Sequence, residues 1–231
     1  MNNIYAVLLA RGGSKGLKRK NIAKLNGISL LERTINDAKN SKFINKIIVS
    51  TDDEEIKKQA LILDVNVFDR EEYLSNDLAT SDSVLQNIAN KLHEKKDLPD
   101  LFVYLQITEP FRPSGIIDRC IESLLIDDSK DSAFAAFAMH KNFWVINEEK
   151  PYKITPQEQS SIPRQHKRPI LREDTGIALA ARPEVFLSGR RIGDNPEIIT
   201  YDSYHSIIDI HTKKDLEFAE FIEEFLLTKE K

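Results

Sequence analysis

The sequence predicts an α/β fold, a doubly wound and mainly parallel sheet with helices on both faces. Three observations carry that expectation. Short continuous apolar runs alternate with amphipathic segments of helical period. The first run stops at a bend rich in glycine and cations, "LLARGGSKGLKRKN" at residues 8–21. One stretch, about 139–175, breaks the alternation and reads as an inserted arm.

The 231 residues suit a single domain over 1–231, with that arm inside it. Hydrophobic residues at 41% and charged residues at 30% give an ordinary globular core. A net charge of -4 excludes general attraction to nucleic acid or to an anionic membrane, so an anion site must come from local clustering. The one cysteine, Cys120, excludes a disulfide framework and a cysteine metal site, and fits a reducing compartment. No run reaches the roughly 18 apolar residues of a spanning helix, and the start lacks the order of a signal peptide. A cytoplasmic protein is expected.

"IYAVLLA" at 4–10 is too short for a typical helix and is followed by glycines, so it reads as a buried parallel strand. Leu31, Ile35 and Ala38 mark a helix over 29–39. "KIIVST" at 46–51 is the next strand, 53–63 a helix with Ile56, Ala60 and Leu63 on one face, and "VNVF" at 65–68 a short strand. In 81–95, Val84, Ile88 and Leu92 recur at every fourth position behind a Ser or Asp cap. "LFVYLQ" at 101–106 is a strand, 114–125 a helix that takes Cys120 as a small apolar filler, and 132–138 a further strand. The arm carries four prolines, Phe143, Trp144 and the basic run "PRQHKRPILR". Strands near 176–181 and 205–210 follow, then a helix over 213–227 with Leu216, Ala219 and Ile222 inward.

In such a fold ligands sit beyond the carboxyl ends of the strands. The bend, "STDD" at 50–53 and "QITEPFR" at 106–112 therefore meet at one rim. Gly12, Gly13 and Gly16 allow a sharp turn whose free N–H groups, beside Arg11, Lys15, Lys18, Arg19 and Lys20, form a nest for an anion such as a polyphosphate. Neither G-x-x-x-x-G-K-[ST] nor G-x-G-x-x-G is present, which argues against a P-loop kinase and a Rossmann dehydrogenase. On the residues alone, a glycine turn with solvated lysines stays open.

"ARGGSKGLKRKN" resembles the N-terminal signature of the acylneuraminate cytidylyltransferases, the CMP-sialic acid and CMP-nonulosonic acid synthetases. The resemblance continues in order through "NGISLLERTINDAKNSKFINKIIVSTDDEEI", "DREEYLSNDLATSDSVL", "LQITEPFR" and "SIIDIHTKKDL", over nearly the whole chain. It implies a nucleotide-diphospho-sugar transferase-like fold with the arm used for dimerisation. It also implies a reaction in which the anomeric hydroxyl of a nonulosonic or related 3-deoxy-2-keto acid attacks CTP, releasing pyrophosphate. Arg11, Gly12, Gly13, Ser14, Lys15 and Lys20 would hold the triphosphate, with Asn21, Arg70 and Ser81 near the cytidine. Gln106 would lie by the sugar, Arg164 would reach a neighbouring subunit's site, and Asp209 would bind Mg²⁺, with Mn²⁺ as the alternative. Arg11, Lys20 and Asp209 form the implied catalytic set. Implied partners are CTP, an acidic keto-sugar and a second copy of the chain, without nucleic acid or membrane.

The residue types fit this chemistry, because displacement at phosphorus asks a protein for positioning and for stabilisation of negative charge. Read from the residues alone, Asp209 could equally be a helix cap or surface acid, and Arg164 part of a solvated basic loop. The sequence also departs from the family pattern. Where the family has I-D-I-D, this chain has His211, a softer ligand than carboxylate, which therefore stays outside the metal set. Glu109 stands in "TEPFR" where the family has T-S-P-L-R, adding an acid near the expected sugar site; Asp174 and Thr175 replace an amide-bearing position of N-G-A-I-Y. Two alternatives remain. One is a nucleotidyltransferase of the same fold acting on another sugar or sugar phosphate; the other is a catalytically weakened nucleotide-binding regulator.

Overall fold

The first apolar run forms β1 (Ile4–Leu9), an interior strand of an eight-stranded sheet. The computed structural model describes residues 2–229. After the bend come the two-residue strands β2 (Lys24–Leu25) and β3 (Ile28–Ser29), then α1 (Leu30–Lys39), whose start is set by Ser29 Oγ accepting from Glu32 N. β4 (Lys46–Thr51) leads to α2 (Glu54–Ile62), capped by Asp53, and on to β5 (Asn66–Asp69). α3 (Ser81–Glu94) is capped by Thr80 Oγ1, one residue before the expected Ser or Asp. β6 (Leu101–Leu105), α4 (Ile116–Ile126) and β7 (Ser132–Met139) follow as the periodicity anticipates.

The arm is more structured than its sequence implied. It opens as an exposed antiparallel hairpin, β8 (Trp144–Asn147) with β9 (Lys150–Lys153), and passes through the short α5 (Gln157–Ser160). It then rejoins the main sheet as β10 (Ile170–Glu173), paired with β7. β11 (Leu179–Ala181), α6 (Pro183–Leu187), β12 (Pro196–Tyr201) and α7 (Lys213–Lys229) complete the chain.

β5, β4, β1 and β6 are parallel neighbours in that order. Beyond β6 the sheet is mixed: β11 runs antiparallel to β6 and β7, while β12 pairs parallel to β7 along its other edge. Side chains alternate across the plane, so both faces are apolar. Ile4, Ala6 and Leu8 pack with α1, α2, α4 and Ala219 of α7; Tyr5 and Val7 pack with α3 and α6. This is the doubly covered sheet the alternation predicts.

One expected strand is absent. Residues 204–207 form a 3-10 turn, and the sheet strand is β12, nine residues earlier than the apolar run at 205–210. Ser203, His205 and Ser206 hydrogen-bond among themselves and hold the turn, a local competition with sheet pairing that short polar side chains favour. Ile210 is still fully buried, with its N–H donating to Thr108 O at 2.8 Å, so its apolar signal reflects packing rather than a strand.

Candidate active site

The site lies beyond the carboxyl ends of β1, β4 and β6. The bend after β1 is tied down at several points. Ala10 N–H donates to Ser50 O, Gly12 N–H donates to Asp52 Oδ1 at 2.9 Å, and the buried Asn21 donates its amide to Arg11 O at 2.9 Å. A Cβ on Gly12 would stand 2.7 Å from Asp53, and one on Gly16 would stand 2.4 Å from His211 O, so close backbone approach explains both glycines. With the Gly12 N–H engaged by Asp52, the expected nest of free N–H groups is reduced. Neither Gly12 nor Gly13 lines the cavity that the bend encloses, and the cationic side chains supply most of its positive character.

That cavity measures about 480 Å³. Arg11, Ser14, Lys15, Lys20 and Asn21 line it from the bend, Arg70 and Ser81 from the segments after β5, and Gln106 from the end of β6. Arg70 is held by its contacts to Ser50 at the end of β4; burial lowers its guanidinium to about 10, still cationic at neutral pH. Burial also lowers Lys20, an effect the nearby Asp209 carboxylate opposes.

Asp209 stands at the edge of this space in a continuous polar chain. Tyr104 OH meets Gln106 Oε1 at 3.3 Å, and Gln106 Nε2 donates to Asp209 Oδ2 at 3.2 Å. His211 Nε2 meets the same oxygen at 2.8 Å, while its Nδ1 faces Lys20 Nζ at 3.4 Å. An ammonium can only donate and a carboxylate can only accept, so the two contacts suit an imidazole that donates from Nε2 and accepts at Nδ1. His211 thus lies between Asp209 and Lys20.

Asp209 Oδ1 is buried and has no partner among the described residues. An orphaned carboxylate oxygen of this kind fits a hard cation, which takes one or two carboxylates and completes its shell with phosphate and water. No group of three or more His, Cys, Asp or Glu that could hold a metal occurs among the described residues, so a cation here would rely on the nucleotide for most of its ligands.

Four features were not anticipated. Asp77 closes the mouth, pairing with Lys15 at 2.6 Å and Arg11 at 3.2 Å; the Lys15 ammonium holds its carboxyl below the usual range. Thr80, beside the expected Ser81, brings the N-terminus of α3 into the wall, and buried Tyr104 and Thr108 form the floor. These are ordinary polar residues in sequence, and only the chain path brings them together. Conversely, Arg164 lies outside the cavity, in a 3-10 turn of the arm where it donates to Tyr204 OH at 3.3 Å. Trp144 is 59% exposed on the hairpin, with Lys153 over its ring.

Glu109 lies beside this chain. Burial raises its carboxyl to about 8; Arg112 opposes the shift and the neighbouring Asp209 and Asp174 reinforce it.

A mixed sheet with a cationic cavity at its strand ends, and beside it a carboxylate with one unpaired oxygen, gives an α/β protein with a site suited to a polyphosphate. The cytidylyltransferase family profile matches residues 5–228, and the chain belongs to that family of nucleotidyltransferases. It is 28% identical over 225 residues to the post-translational flagellin modification protein B of Campylobacter coli, covering 96% of this chain and 95% of that one. It is 28% identical over 227 residues to a pseudaminic acid cytidylyltransferase of Campylobacter jejuni, covering 96% of each. Its fold matches that of a CMP:2-keto-3-deoxy-manno-octonic acid synthetase in complex with CTP, with a TM-score of 0.73 at 14% identity over 96% of this chain and 98% of that one. The resemblance read from the sequence motifs is borne out. No helix among the described residues is long and apolar enough to cross a membrane.

Proposed function

We propose that this protein transfers CMP from CTP to the anomeric hydroxyl of a nonulosonic or related 3-deoxy-2-keto acid, releasing pyrophosphate. The supporting observation is that Asp209 is joined through His211 to Lys20, one of the cations that line the cavity. The full-length kinship to a pseudaminic acid cytidylyltransferase supports the acceptor class.

In this reading Arg11, Ser14, Lys15 and Lys20 take the triphosphate, which displaces Asp77 from Arg11 and Lys15. Asn21, Arg70 and Ser81 face the nucleoside, and Gln106 orients the acceptor. The anomeric oxygen bonds to the α-phosphorus as the bond from that phosphorus to the bridging oxygen breaks; pyrophosphate leaves and the hydroxyl proton passes to solvent. No covalent enzyme intermediate forms. Lys20 and Arg11 neutralise the charge that grows on the leaving oxygens, an effect strengthened by a partly desolvated setting. Mg²⁺, or Mn²⁺ in its place, held by Asp209 with phosphate oxygens, would add positive charge at the reacting phosphate.

The arm would pair two copies through the hairpin, where Trp144, Ile146 and Tyr152 are 59%, 75% and 52% exposed; Arg164 would then serve the neighbouring site. A CTP-consuming reaction belongs in the cytoplasm. The decisive experiment is pyrophosphate release with CTP against a panel of keto acids in Mg²⁺ and in Mn²⁺, with ATP, GTP and UTP as controls and light scattering for mass. Release only with a phosphorylated sugar, or tight CTP binding without release under any condition, would overturn the assignment.

A further inference from the structure

Glu109 occupies a position that neither the nucleotide nor the fold explains. A Cβ on Gly176 would stand 2.6 Å from Glu109 Oε1 and 2.8 Å from the Gln106 Cβ, so the carboxyl lies alongside the Gln106 side chain, over a residue that has no side chain of its own. Gln106 in turn donates to Asp209. Glu109 is therefore next to the residues assigned to the acceptor, on a different element from the cations that take the triphosphate.

Its carboxyl is not structurally satisfied. Oε2 is buried and has no hydrogen-bond partner among the described residues. The nearest cation does not supply one. Arg112 donates to Ile177 O at 2.9 Å, to Asp37 at 3.0 Å and to the carbonyls of Gln106 and Gly176. Arg172 directs its Nε to Asp174 at 2.7 Å, and Asp174 also accepts from Tyr201. Both arginines are oriented by other acceptors, which leaves Glu109 Oε2 unpartnered. Buried acceptors in folded proteins are ordinarily paired, so one without a partner, three residues from the cavity-lining Gln106, points to a ligand group that pairs with it.

We infer that Glu109 is a specificity-determining residue whose open carboxyl oxygen accepts a hydrogen bond from a hydroxyl or amide N–H of the acceptor sugar. This deepens the proposed function and rests on it. With Asp209 and Asp174 nearby, the same wall disfavours the acceptor's own carboxylate, so the sugar turns its neutral, donor-bearing side to Glu109. A site that has a hydrogen-bonding partner for a substrate group discriminates strongly against an analogue lacking that group.

The test compares Glu109→Ser and Glu109→Gln with the parent protein, using pseudaminic acid, N-acetylneuraminic acid and 2-keto-3-deoxy-manno-octonic acid as acceptors, and calorimetry for CTP. Serine is too short to reach the donor, and it should raise the KM of the best acceptor about tenfold, equivalent to about 1.4 kcal/mol. Glutamine keeps an acceptor oxygen in place and should stay within about threefold of the parent. CTP affinity should remain within about twofold in both. A serine penalty on the octonic acid as well as the acylamino sugars identifies a hydroxyl donor, and one confined to the acylamino sugars identifies an amide N–H. Unchanged acceptor KM in the serine variant overturns the inference, as does equal damage by glutamine or a matching loss of CTP affinity. A parent protein that turns over none of the three acids overturns the proposed function and this inference with it; a parent that turns them over while Glu109 proves indifferent leaves the proposed function standing.

Discussion

The bend and the 209–212 segment touch at Gly16 and His211, where a side-chain carbon on the glycine would stand 2.4 Å from the histidine's carbonyl oxygen. Two regions nearly 200 residues apart in sequence thus form one crevice. The spacing between the cations and Asp209 depends on this backbone contact.

Gly16→Ala should accordingly separate the two walls. The colliding atom is backbone, so relief requires moving the 209–212 segment, at a cost of about 1–3 kcal/mol and with CTP affinity weakened about tenfold. Gly13→Ala is the control, since a Cβ there meets nothing within 4 Å. Melting temperature and CTP calorimetry on the two variants check this; equal behaviour would show that the contact carries no weight.

Lys20→Ala and Asp209→Ala should each lower pyrophosphate release about 100-fold or more, the usual scale when a group stabilising transition-state charge is removed. Near-parental rates in both would remove them from the mechanism.

His211→Asp should move the metal response towards Mg²⁺ over Mn²⁺. It replaces an imidazole, 2.8 Å from Asp209 Oδ2, with a second hard carboxylate. The ratio of rates in the two metals is the readout, and an unchanged ratio would place position 211 outside the metal's surroundings.

Glu109 should make stability depend on pH. Its carboxyl sits at about 8 in the fold against an ordinary value near 4.3, so the folded state holds a proton that the unfolded state releases between these limits. No penalty arises below the ordinary carboxylate range. Stability is lost as pH rises through the window, by at most about 1.4 kcal/mol per unit, and the loss levels off above the folded value. Glu109→Gln does not titrate, so its melting temperature should gain on the parent steadily from pH 5 to 8, measured in EDTA without nucleotide. Parallel curves would mean that the carboxyl is not held protonated by burial.

The sheet and its helices were legible because burial imposes periods of two and 3.6 that the chain must satisfy locally. The apolar runs of β1, β4, β6 and β7 carry that signal strongly. β12 was missed because its side chains are only partly buried before Tyr201, leaving little contrast, while Ile207, Ile208 and Ile210 supplied contrast without being a strand. The arm's β10 was hidden for a similar reason, a four-residue strand among prolines and basic residues.

From the sequence alone came the order of elements, the cationic bend and the candidate acid at 209, because these depend on local composition and on motifs carried within single segments. Only the tertiary structure decided that His211 lies between Asp209 and Lys20, that Asp77 pairs with Arg11 and Lys15, and that Glu109 lies over Gly176 with an oxygen unpaired. Such relationships join residues tens to nearly two hundred positions apart. They depend on the crossing of strands and on approaches of a few ångström, which no local pattern of residues encodes.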